Sequence, residues 1–202
     1  MIKLYQFPRS GNSREVKIVL HEKSIPFESV NTHAPDFNKD DSEFRKASPQ
    51  GKVPAIIDGQ KYLSEAFHIN LYLDEKFPDS PLMPKTEPER AQIRDWVTLY
   101  DKKLVLRIGL LVIECLLKPK DQQSEETKQK YRGEVLLALK DLDHQLEGKS
   151  YLFGDYSLAD AAVTPHIAAL PILGVAIPVE MKNVHAWFSR IQTRPSFQLS
   201  AS

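Results

Sequence analysis

Phe77-Pro78-Asp79-Ser80-Pro81-Leu82-Met83-Pro84-Lys85-Thr86-Glu87-Pro88 divides this chain in two. Each proline lacks an amide donor and biases the residue before it away from helical angles, so no helix or central strand crosses the stretch. It reads as a linker over residues 78–87, between a first domain at 1–77 and a second at 88–202. The sequence changes character across it.

Before the linker, short strand-like and helix-like pieces alternate. Ile2, Leu4 and Tyr5 open a strand that ends at Pro8. Asn12 or Ser13 can cap a helix with Glu15 in its first turn, and Val16, Val19 and Leu20 give it a buried stripe. Phe27 to Val30 offers a second strand, placed for parallel pairing with the first, and residues 34–50 read as polar and irregular. Val53–Ile57 and Lys61–Leu63 flank Asp58-Gly59-Gln60, a hairpin signal. Ser64 is then positioned to cap a helix that carries Ile69, Tyr72 and Leu73.

After the linker every periodic segment is helical. Thr86 and Glu89 have capping-box spacing, and Ile93, Trp96, Val97 and Tyr100 follow at helical intervals. A polar break at 118–126 precedes a helix to about Glu147. Ser157-Leu158-Ala159-Asp160 is a second capping box, which makes Asp160 a structural residue, and Val184, Trp187, Phe188 and Ile191 mark a last helix stopped before Pro195.

Composition removes several functions. Lys plus Arg equals Asp plus Glu at 27 each, so no bulk basic field exists to hold nucleic acid or an anionic membrane. The longest apolar stretch, Leu104–Leu117, is interrupted by Arg107, Gly109 and Glu114, short of the roughly 20 residues that span a bilayer. The lone Cys115 cannot form an internal disulfide, which fits a reducing, cytoplasmic setting. Six histidines form no metal-ligand spacing, so no metal is expected.

Four segments, in order around the linker, carry a family resemblance. They are Tyr5–Val16 with its Pro8-Arg9-Ser10-Gly11 loop, Gly51-Lys52-Val53-Pro54-Ala55, Leu63-Ser64-Glu65-Ala66, and Tyr156–Asp160 together with Trp187–Pro195. In this set the chain resembles the glutathione S-transferase superfamily, in its serine-type, phi- or zeta-like or bacterial, cytosolic form. The resemblance implies an α/β plus all-α architecture, with an N-terminal thioredoxin-like, glutathione-binding domain built on a mixed sheet. A C-terminal all-helical bundle domain follows it.

It also implies a site. A free thiol has a pKa of about 8.5, so only about 3% is thiolate at neutral pH. Lowering that pKa by about two units takes roughly 2.7 kcal/mol of preference for the anion. One hydrogen bond to a charged acceptor contributes about 1.5–3 kcal/mol. By resemblance Ser10 is the hydroxyl that donates it, with Ser13 and Tyr5 as the competing candidates; Ser10 is also ordinary turn chemistry. Pro54 is implied to be cis, so that the backbone of Val53 pairs with the cysteinyl part of glutathione. Glu65 is implied to hold the γ-glutamyl ammonium, while Ala66 stands where the family has a serine. Lys39 and Lys52 are the cations for the glycine carboxylate.

The activity implied is conjugation of glutathione, as co-substrate, to a small hydrophobic electrophile by a homodimer. The alternatives are a binding or regulatory module that kept the fold without the reaction, and a glutathione-dependent isomerase. The isomerase reading is opposed by the loop Ser10-Gly11-Asn12, which lacks the Ser-Ser-Cys of zeta-type members.

Overall fold

β1 (Ile2–Gln6) is the strand that organises the first half of the chain, with Leu4, Tyr5 and Gln6 buried as an interior strand requires. The computed structural model describes residues 1–32 and 41–201. β1 pairs in parallel with β2 (Phe27–Asn31) and antiparallel with β3 (Ala55–Asp58). β3 pairs antiparallel with β4 (Lys61–Ser64), so the mixed sheet has the order β2-β1-β3-β4. α1 (Gly11–Glu22) joins the parallel pair, and α3 (Ala66–Lys76) follows β4 and packs beside it. Leu4, Val16, Val19, Leu20, Ile56, Ile69 and Leu73 are buried, while Tyr72, the third periodic position of α3, is half-buried and donates its hydroxyl to Asp58 Oδ2 at 2.7 Å. This is the thioredoxin-like arrangement.

Local chemistry departs from the sequence expectation at four places. Ser10, rather than Asn12 or Ser13, caps α1. Residues 34–50 are not wholly irregular, because Asp41 caps a short helix α2 (Ser42–Ala47) by accepting from the amides of Glu43 and Phe44. That helix buries only Phe44 and Ala47, too few positions to display a period. Glu65, not Ser64, stands at the cap of α3, because Ser64 is still paired with Ala55 in the sheet. Finally, the helix expected to be the last does stop before Pro195, but a further short helix α9 (Pro195–Leu199) begins at that proline. Proline is tolerated there because the first helical amide needs no partner.

The chain groups into two units, Met1–Pro84 with Thr193–Ser202, and Lys85–Gln192. The tail returns to the first unit through charge and shape. Arg194 pairs with Glu22 at 2.7 Å, Arg14 donates to Ser200 Oγ at 3.0 Å, and its guanidinium lies 4.4 Å from the Phe197 ring centroid. Within the same unit the proline-rich segment is tied down. Lys23 Nζ donates to Asp74 Oδ1 at 2.9 Å and to the Ser80 carbonyl at 2.6 Å, while Asp74 Oδ1 also accepts from the Leu82 amide at 2.7 Å.

The second unit is helical. α4 (Glu87–Tyr100) starts at Thr86 with Pro88 in its first turn. It continues through a π-helical turn at Asp101–Val105 into α5 (Leu106–Val112) and a second one at Ile113–Leu117. α6 (Glu125–Gln145) is capped by Ser124, and α7 (Leu158–Ala169) by the Ser157–Asp160 box. α8 (Lys182–Gln192) brings Trp187 Nε1 to within 2.8 Å of Asp160 Oδ1, joining two segments of the family resemblance in one contact. Asp160 also accepts from the amides of Leu152 and Ser157, the structural role expected of it. No helix among the described residues is long and apolar enough to cross a membrane.

Candidate functional site

The register of three strands builds the site. Tyr5 of β1, Ala55 of β3 and Ser64 of β4 lie in one row across the sheet. β1 leaves this row toward the Phe7–Ser10 loop, β3 enters it from Val53 and Pro54, and β4 leaves it toward Glu65. Three segments far apart in sequence therefore meet at one end of the sheet, and α1 and α3 both begin there. A helix N-terminus presents amide donors that its own ladder does not use, together with partial positive charge, and so favours an anionic ligand.

Ser10 is half-buried at the cap of α1. Its amide donates to the Phe7 carbonyl at 2.9 Å, and its Oγ accepts from the Ser13 amide at 3.2 Å. Accepting uses a lone pair, so the hydroxyl keeps its proton as a donor. The two competing residues are more deeply buried than Ser10. Ser13 is fully buried, and its hydroxyl accepts from the Phe7 amide at 3.4 Å, holding the loop to the helix. Tyr5 is buried against Phe44, with ring centroids 5.1 Å apart; burial, with Asp41 nearby, pushes its phenol up to about 12. A tyrosine in that setting keeps its proton and packs the core.

The Val53–Pro54 peptide is cis. Pro54 is buried and Val53 is half-buried against the Tyr5, Phe44 and Ala47 cluster. The turn before it is held by Ser48, which the sequence reading missed. Ser48 is buried, its Oγ accepts from the Lys52 amide at 2.9 Å, and its carbonyl accepts from the Gly51 amide at 2.8 Å. Ser48-Pro49-Gln50-Gly51 is a recognisable turn signal that could have found it. Gly51 takes φ of 68°, a left-handed conformation that strains any residue with a Cβ, so the position favours glycine. Lys52 is exposed beside this turn. Lys39 lies outside the described residues.

Glu65 is exposed, makes no side-chain cap bond among the described residues, and has φ of 70° with ψ of 115°. That backbone conformation costs an L-residue of order 1–3 kcal/mol and concentrates at ligand sites. Ala66, the first residue of α3, is buried and brings no hydroxyl. Among the described residues no group of three His, Cys, Asp or Glu side chains is arranged to hold a metal ion.

Comparison with known proteins follows the same division of the chain. The family model described as Glutathione S-transferase, N-terminal domain, matches residues 4–81, and Glutathione S-transferase, C-terminal domain, matches residues 108–195. Glutathione S-transferase F10 of Arabidopsis thaliana is 28% identical over 98% of this chain and 95% of its own length. A Stringent starvation protein A homolog of Coxiella burnetii is also 28% identical, over 100% of this chain and 92% of its own. Among solved structures, a glutathione transferase of Burkholderia graminis with two glutathione molecules bound per subunit is similar with a TM-score of 0.84. It is 25% identical, and the match covers 99% of this chain and 87% of that one.

Proposed function

Because the chain belongs to the glutathione S-transferase family, we propose that it is a glutathione transferase in which Ser10 donates a hydrogen bond to the glutathione thiolate. The thiolate then attacks a small electrophile. The observation that carries this reading is the Ser10 hydroxyl itself: it caps α1, accepts from the Ser13 amide, and retains its proton for a ligand. A donor at a helix N-terminus favours the anion twice, by the hydrogen bond and by the helix dipole. Ser10 is a donor here and not a nucleophile.

The rest of the tripeptide is assigned to the same end of the sheet. Val53 offers its backbone to the cysteinyl unit, Pro54 shapes that turn, and Lys52, with Lys39, supplies cationic charge for the glycine carboxylate. Glu65 holds the γ-glutamyl ammonium, and the amides that open α3 at Ala66 receive the neighbouring carboxylate. Glutathione bound to a similar transferase supports this assignment. Assembly as a homodimer belongs to the proposal, and Leu99, Leu106 and Ile113, exposed at seven-residue intervals, are apolar surface for a second copy to cover.

Ala66 favours a second reading, a module that keeps the fold without the reaction, because it lacks the hydroxyl a serine would bring to the γ-glutamyl carboxylate. The full-length likeness to a relative not named as a transferase points the same way. Calorimetric titration with reduced glutathione near neutral pH, followed by a conjugation assay with small aromatic electrophiles, separates the two. Saturable binding with turnover supports the transferase. Binding without turnover supports the module, and no binding removes glutathione from both.

A further inference from the structure

Glu15 and Asn70 occupy equivalent places in two helices. Glu15 is five residues past the cap of α1 (10 to 15), and Asn70 is five residues past the cap of α3 (65 to 70). At a rise of about 1.5 Å per residue, both lie roughly 7.5 Å from the helix starts that flank the site. Asn70 is fully buried, Glu15 is 5% exposed, and Asn70 Nδ2 donates to Glu15 Oε1 at 2.6 Å.

This pair is not what stability alone would choose. The neighbouring stripe positions of both helices, Val16, Val19, Ile69 and Leu73, are apolar and buried. A matched apolar pair is often as stable as a buried polar one, because no charge or amide has to be desolvated. Asn70 Oδ1, moreover, has no hydrogen-bond partner among the described residues, which is a cost that an apolar side chain would avoid. A directional bond does have one property that apolar contacts lack. It fixes how far one helix can slide along the other.

We propose that the Glu15–Asn70 bond is a positioning pair that holds the N-termini of α1 and α3 at one relative height. It thereby sets the separation of the Ser10 hydroxyl from the amides at Ala66, the groups assigned to the thiol and the γ-glutamyl ends of one ligand. The functional half of this inference rests on the glutathione reading above. The geometric half does not.

The test is a double variant, Glu15→Leu with Asn70→Leu, compared with Glu15→Gln, which keeps an acceptor for Asn70. Amide hydrogen exchange of the unliganded protein is read at Ser13 and at Ile69, whose amide donates to the Glu65 carbonyl at 3.0 Å, together with denaturant stability and the KM for glutathione. The double variant should fold with stability close to wild type and exchange about tenfold faster at both amides, while Glu15→Gln matches wild type. The KM of the double variant for glutathione should rise about tenfold with kcat changed far less, since misplacement at a binding site is costly. If the double variant fails to fold, Glu15→Asp, which withdraws the acceptor by one methylene, is read for the same faster exchange. Wild-type exchange at Ser13 and Ile69 in the folded variant would overturn the positioning role. Failure of the wild-type protein to bind glutathione would remove the function proposed above and leave the exchange result to decide this one.

Discussion

Ser10 and Ser13 share one hydrogen bond in a fixed sense: the Ser13 amide donates and the Ser10 Oγ accepts, at 3.2 Å. The same hydroxyl thus has a structural task and a proton left over for a chemical one. Glycine at a helix cap costs only a few tenths of a kcal/mol relative to serine, whereas alanine costs about 1 kcal/mol. Ser10→Ala should therefore be less stable than Ser10→Gly in denaturant unfolding. Both should lose conjugation activity alike, roughly tenfold to a hundredfold, the kinetic equivalent of about 1.5–3 kcal/mol. Activity that tracked stability across the pair would mean that Ser10 is only a cap.

Ala66 is open to a gain of function. Ala66→Ser adds one hydroxyl at the first residue of α3, next to the amides assigned to the γ-glutamyl carboxylate. One hydrogen bond contributes about 1 kcal/mol net, so calorimetry should give roughly fivefold tighter glutathione binding. Unchanged or weaker affinity would place the carboxylate elsewhere.

Acid should act on α7 through two opposed groups. Burial pushes His166 down to about 4 from 6.5, so its contribution to stability is complete above pH 6.5 and is lost as pH falls through about 4. Burial pushes Asp160 up to about 6 from 3.8, against the hydrogen bonds that favour its charge. Its contribution is complete below pH 3.8 and is lost as pH rises through about 6. His166→Phe removes the first group and also an Nε2 that has no hydrogen-bond partner among the described residues. Relative to wild type, this variant should gain about 1 kcal/mol per pH unit between pH 6.5 and 4 in urea unfolding. A constant difference across that range would show that His166 does not titrate with unfolding.

Two ion pairs should differ sharply in worth. Lys23 and Asp74 are almost fully buried, whereas Lys103 and Asp141 are about half exposed. Lys23→Met leaves a buried carboxylate unpaired and should cost about 3–5 kcal/mol, while Lys103→Met should cost less than about 1 kcal/mol. Urea midpoints measure both. Near-equal losses would mean that Asp74 is not stabilised by Lys23.

How much of this was legible beforehand depends on the physics of each element. Strong periods and punctuation were readable: the Asp58-Gly59 hairpin, the Ser157–Asp160 box and the apolar stripe of α1 all stand where the sequence put them. Short-range ambiguity was not. Ser10, Asn12 and Ser13 are all acceptable caps, and only the Phe7 loop folding back selects Ser10. α2 has too few buried positions to show a period, and α9 depends on Arg14 and Glu22, which are far away in sequence. The convergence of Ser10, Pro54 and Glu65 rests on strand register, which no local pattern encodes. The Glu15–Asn70 pair was hidden for the same reason, since an acidic residue early in a helix has a sufficient local explanation.

The most direct test of the central claim is the pKa of glutathione bound to the protein, followed by thiolate ultraviolet absorbance in wild type and in Ser10→Ala. The account predicts a bound thiol about two units below the free value of about 8.5 in wild type, and a return of at least about one unit toward it in the variant. A bound thiol with the same pKa in both proteins would contradict the role given to Ser10.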